Sequence, residues 1–139
     1  MKQSLGRLVA ILHRRNIAYL NNALKPFDLT SGEVGIMRSL YMQEDRTQEE
    51  LSLLLSIDKA AIARAVKSLE KKEYLRRICD SRDKRCNRLF LTDKAKDLQS
   101  SIEPIIDVWN QSIEEEIGST AYNELCLSLY TALEATDQE

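Results

Sequence analysis

Along most of the chain, apolar residues recur every three or four positions, the signature of helices with one buried face. Leu5, Leu8, Val9, Leu12, Tyr19, Leu20, Ala23 and Leu24 follow this spacing and predict a long helix over about residues 3–24. Pro26 is expected to end it, because a residue preceding proline disfavours the α region. Thr30-Ser31-Gly32-Glu33 reads as a capping box opening a helix with Val34, Met37, Leu40 and Tyr41 on one face. Thr47-Gln48-Glu49-Glu50 is a second capping box, and the short helix after it should turn Leu51, Leu54 and Leu55 inward. After a turn at Ser56-Ile57, Asp58 is placed to cap a helix over about residues 59–72, with Ile62, Val66 and Leu69 as its apolar face.

The period then changes. Tyr74–Cys79 and Asn87–Leu91 have strand length and β-compatible residues, and the charged segment Asp80–Cys86 separates them, predicting a hairpin. Thr92 can cap the next helix, which carries Ile102, Ile105, Ile106, Trp109, Ile113 and Ile117. Pro104 lies inside that run, so the helix either kinks there or starts near it. Gly118 fits a helix C-terminus, and Tyr122, Leu125, Leu129 and Leu133 mark a last helix.

Two helices joined by a short turn and followed by a hairpin form a winged helix-turn-helix, and the second helix of such a unit fits a DNA major groove. On the outward face of that helix, Ala60 and Ala63 allow close approach to base edges. Arg64 has the forked donors to hold guanine, and Lys59 and Lys67 are placed for phosphates. Arg82, Lys84 and Arg85 on the hairpin tip can reach a neighbouring minor groove, with Asp80 and Arg85 expected as an ion pair across the loop. Taken alone, the helix face reads equally as an ordinary solvated surface; the wing, following directly on the helix-turn-helix, is the more specific signal.

Charge supports the nucleic-acid reading. The 139 residues carry a net charge of −2, yet residues 46–97 hold fourteen basic against nine acidic groups, and residues 98–139 hold nine acidic and no Lys or Arg. The middle third can therefore face a polyanion that would repel the last third. Four Gly and two Pro argue against a loop-rich β fold. No run approaches the ~18 to 20 apolar residues of a membrane span, and the arginines near the N-terminus break any signal-peptide core. Three cysteines offer no disulfide framework, so the expected compartment is a reducing cytoplasm.

The residues Asp80-Ser81-Arg82-Asp83-Lys84-Arg85, followed by Leu89-Phe90-Leu91-Thr92, resemble the wing signature of MarR-type transcriptional regulators. Ile62-Ala63-Arg64-Ala65-Val66, Leu69-Glu70, Leu29-Thr30 and Thr47–Leu51 are similar to the family's pattern as well, and the resemblance covers about residues 5–135. Three positions depart from it: Ala63 for a common Thr or Ser, Glu73 for a Gly that often ends the recognition helix, and Ala95 for a frequent Gly. The resemblance implies a mainly α fold with a small β-hairpin wing, a winged helix-turn-helix (30–92) flanked by N- and C-terminal dimerisation helices (1–29 and 93–139), together one compact domain. It also implies a homodimeric repressor on double-stranded DNA whose operator is an inverted repeat. The apolar stripes of Leu5, Leu8, Leu12, Ile106, Trp109, Ile113, Leu125, Leu129 and Leu133 exceed what so short a chain can cover, which independently favours association.

MarR-like proteins commonly bind small aromatic anions between the dimerisation helices and the winged region. Here the candidates for such an effector are His13, Arg14, Arg15, Met37 and Tyr41, a set explained as well by core packing and surface charge. Two alternatives remain open: a redox sensor acting through Cys79 and Cys86, with Arg77, Arg85 and Arg88 near them, or a winged helix that contacts protein. One His, no glycine-rich phosphate loop and no metal-ligand spacing argue against an enzyme, a metal site or a cofactor.

Overall fold

The computed structural model describes residues 2–79 and 87–137. Its described elements run α1 (Leu5–Ala23), a short 3-10 turn (Lys25–Phe27), α2 (Ser31–Met42), β1 (Arg46–Thr47), α3 (Gln48–Leu55), α4 (Lys59–Lys71), β2 (Leu75–Cys79), β3 (Asn87–Leu91), α5 (Asp93–Ile117) and α6 (Ser119–Thr136). The fold is mainly helical with a small antiparallel sheet, as the pattern predicts.

Local signals set most boundaries. Both capping boxes form: the Glu33 amide donates to the Thr30 hydroxyl at 3.3 Å and the Glu50 amide to the Thr47 hydroxyl at 3.1 Å, with each glutamate reaching back to its cap amide. The Asp58 carboxylate caps α4 by accepting from the Ala61 amide at 2.9 Å. The Thr92 hydroxyl accepts from the Ala95 amide at 3.2 Å at the start of α5. α1 stops at Ala23, shortly before Pro26, which sits in the first turn of the following 3-10 segment, where a missing N–H is tolerated. α5 runs through Pro104 rather than starting there. Gly118 closes α5 and opens α6 at φ +88°, a backbone conformation that suits glycine.

Two differences have physical causes. β1 is two residues long, too short to show a period, and exists because Arg46 and Thr47 pair with Leu89 and Arg88 of β3; the sheet order is β1-β3-β2. Leu54 is exposed rather than inward. The ridge that α3 buries runs from Leu51 to Leu55, and at about 100° per residue Leu54 lies off to one side of it.

The chain forms two compact units, residues 1–103 and 104–139. The first holds the buried core: Leu24, Leu29, Val34, Ile36, Met37, Leu40, Leu51, Ile62, Val66, Leu69, Leu75, Leu89, Leu91, Ala95 and Ile102. In the second, none of the described residues is buried. Among the described residues, no helix is long and apolar enough to cross a membrane.

Candidate nucleic-acid interface

α4 is amphipathic along its whole length. Ile62, Val66 and Leu69 are buried on one side. On the other, Lys59, Ala60, Arg64 and Lys67 are exposed, while Ala63 is half-buried at the flank. Lys71, one turn beyond Lys67, is exposed on the same side and extends the face; the i, i+4 spacing of the two lysines was the signal for it. The small side chains of Ala60 and Ala63 leave the helix surface low, and Arg64 and Lys67 rise from it. Lys59 is paired with Glu49 of α3 at 3.4 Å, both side chains largely exposed, so this contact contributes little and is easily exchanged for a phosphate.

Polar contacts fix α4 to its neighbours. Arg77 of β2 pairs with Glu70 at 3.1 Å. At the end of the helix, Lys72 donates to both oxygens of buried Glu33 at 2.9 and 3.0 Å, and the Ser68 hydroxyl donates to the same carboxylate at 2.8 Å. Burial by itself would raise the Glu33 pKa, but the hydrogen bonds from Lys72, Ser68 and Thr30 together outweigh it and hold the carboxyl below its ordinary value. These partners lie 35 and 39 residues apart in sequence, so no local pattern announced them. Glu73, where the family pattern often has Gly, adopts φ +65°, and its carbonyl accepts from the Thr92 hydroxyl at 2.7 Å. The turn after α4 therefore keeps its left-handed residue without glycine.

At the base of the hairpin, Arg76 stacks 5.3 Å from the Phe90 ring centroid, and Arg88 pairs with Asp45 at 2.6 Å. Arg82, Lys84, Arg85, the Asp80–Arg85 pair and Cys86 lie outside the described residues. Cys79 is exposed at the end of β2, where it pairs in register with Asn87. Arg77 and Arg88, expected to make its surroundings positive, are each engaged by a carboxylate.

The described parts of the proposed effector site do not converge on one cavity. His13, Arg14 and Arg15 are exposed on α1. Met37 is completely buried and acts as a core residue, because the α2 face it occupies is the one packed inward. The Tyr41 hydroxyl donates to the Ala95 carbonyl, and burial together with the Glu103 carboxylate pushes its pKa up to about 12. Tyr41 does line an open groove of about 460 Å³ with Glu44, Leu91, Lys96 and Gln99, but His13, Arg14, Arg15 and Met37 do not. Among the described residues, no group of three or more His, Cys, Asp or Glu is arranged to hold a metal.

Of the residues expected at an interface between copies, Leu5, Leu8, Leu12, Leu125 and Leu133 are exposed. Ile106, Trp109, Ile113 and Leu129 are half-buried.

Comparison with known proteins agrees with this geometry. The MarR family model matches residues 29–87, from just before α2 to the first residue of β3. A MarR transcriptional regulator from Methanosarcina mazei Go1 is 30% identical, covers 94% of each chain and superimposes with a TM-score of 0.89. The chain belongs to the MarR family. As a MarR protein it is a DNA-binding transcriptional regulator and not an enzyme. The HTH-type transcriptional regulator BilQ of Clostridioides difficile is 27% identical over 128 residues, 92% of this chain and 86% of its own length. A mutant MarR from E. coli, complexed with operator DNA, shares the fold at 24% identity, with 93% of each chain covered and a TM-score of 0.83.

Proposed function

We propose that this MarR protein binds an inverted-repeat operator as a homodimer and represses transcription from it, with α4 as the helix that enters the major groove. The observation that carries the proposal is the face of α4 opposite Ile62, Val66 and Leu69, where the small Ala60 is followed along the helix by exposed Arg64, Lys67 and Lys71. In this reading Arg64 contacts base edges, Lys59 and Lys67 hold phosphates, and Arg82 and Lys84 of the wing enter the flanking minor groove. Exposed Leu5, Leu8 and Leu12 on α1, and Leu125 and Leu133 on α6, support a second copy as the partner that covers them. A two-fold dimer spaces its recognition helices by about one DNA turn, ~34 Å.

Selection of duplexes from a random library by the purified protein tests this directly. The expected product is an inverted repeat with half-site centres about one turn apart. Enrichment of a single half-site, or retention of all duplexes alike with only a steep salt dependence, would overturn the dimeric operator reading. Placing the enriched site across a promoter start in a reporter then separates repression from activation.

A further inference from the structure

Among the described residues, Glu33 is the only buried charged side chain, and the groups bound to it belong to different elements. Its carboxylate accepts from the Thr30 amide at 3.0 Å at the start of α2. From α4 and its C-terminal end it accepts from Ser68 at 2.8 Å and from Lys72 at 2.9 Å. The same Lys72 ammonium donates to the Asp28 carbonyl at 2.6 Å, just before α2. The α2 start is tied in turn to α1, where the Asn21 side-chain oxygen accepts from the Ser31 amide at 2.8 Å.

Arg64, Ser68 and Lys72 follow one another at four-residue spacing and so lie on one ridge of α4. That ridge, with Thr30, Gly32 and Glu33, lines a groove of about 350 Å³. Apolar packing by Ile62, Val66 and Leu69 holds α4 on the core but is not directional, whereas hydrogen bonds are. Two such bonds one turn apart fix both the roll of the helix about its axis and its axial register. A roll of about 20° would carry an atom ~6 Å from the helix axis through about 2 Å, beyond the tolerance of a bidentate contact.

We infer that Glu33 is a positioning residue for base reading: its buried carboxylate clamps the Ser68–Lys72 end of α4 to the start of α2 and so aims Arg64. The inference rests on the proposed role of Arg64. Glu33 itself touches no DNA in this account, and the proposed phosphate contacts of Lys59 and Lys67 are made by other side chains.

The test compares affinity for the duplex that the wild type enriches with affinity for a scrambled duplex, at one salt concentration. Thermal melting establishes that each variant is folded. Glu33→Ala should lose about tenfold or more on the enriched duplex while binding the scrambled one like the wild type. Ser68→Ala removes one of the two clamps and leaves Glu33 paired with Lys72, so it stays folded and should lose about threefold on the enriched duplex alone. Glu33→Gln keeps an acceptor for Ser68 and should recover part of the loss. Equal losses on both duplexes, or unchanged discrimination in folded Ser68→Ala, would overturn the positioning role. A wild type that fails to discriminate between duplexes would instead overturn the base-reading role of Arg64.

Discussion

α4 and α6 are both amphipathic helices, and they resolve their apolar faces differently. The 13 residues of α4 bury Ile62, Val66 and Leu69 almost completely, against elements of the same chain. The 18 residues of α6 bury nothing, and Leu133 is 68% exposed. α1 likewise contains no buried residue. The difference separates helices that finish within one chain from helices whose apolar stripe awaits another surface. In the proposed homodimer the first kind would present Arg64 and the second would set the distance between two copies.

The largest expected effect comes from breaking the second kind. Trp109→Asp, at the half-buried α5 face, should reduce the mass in sedimentation to that of one chain and weaken operator binding by roughly a hundredfold or more, as bivalent engagement is lost. A dimer of unchanged mass would remove α5 from the interface. Next, Leu69→Ala should cost about 3 kcal/mol of unfolding free energy in denaturant titration, by emptying a filled core position. The contrasting Leu133→Ala should leave the stability of a single chain nearly unchanged and act on dimer dissociation instead. Similar losses for the two would erase the distinction between the helices.

Arg64→Ala should cost about 1 to 3 kcal/mol on the selected duplex and relax preference at one or two base pairs, read by competition with single-base variants. Equal losses on every duplex would make Arg64 a phosphate contact. The acid side of the stability curve sharpens the account of how α4 is held. The Glu33 carboxyl is depressed from its ordinary value of 4.5, so its contribution is complete above that pH and is lost as pH falls through the lower folded value. Glu33→Gln should flatten the curve in that acid range while leaving its slope near neutrality as in the wild type. The smallest effect belongs to Glu73→Gly, which relieves a left-handed residue at φ +65° and should raise stability by about 0.5 to 1 kcal/mol in thermal melts.

Much of the molecule was legible along the chain. Capping boxes at Thr30 and Thr47, the Asp58 cap and the apolar stripe Ile62-Val66-Leu69 act within one or two turns, so their residues carry their own evidence. The outward face of α4 followed from the same period, with Lys71 the member left out of it. β1 was invisible because two residues have no pattern of their own and take their conformation from β3. Met37 sits on an apolar helix face that could serve core or ligand, and only packing assigned it to the core.

The sequence by itself determined where helices start, which side of each is apolar and where positive charge collects, because these depend on neighbours within a few residues. Tertiary structure alone decided that Glu33 meets Ser68 and Lys72 and that Arg88 meets Asp45. Those outcomes depend on which distant segments share space, and one helix's periodicity carries no record of the surface that faces it.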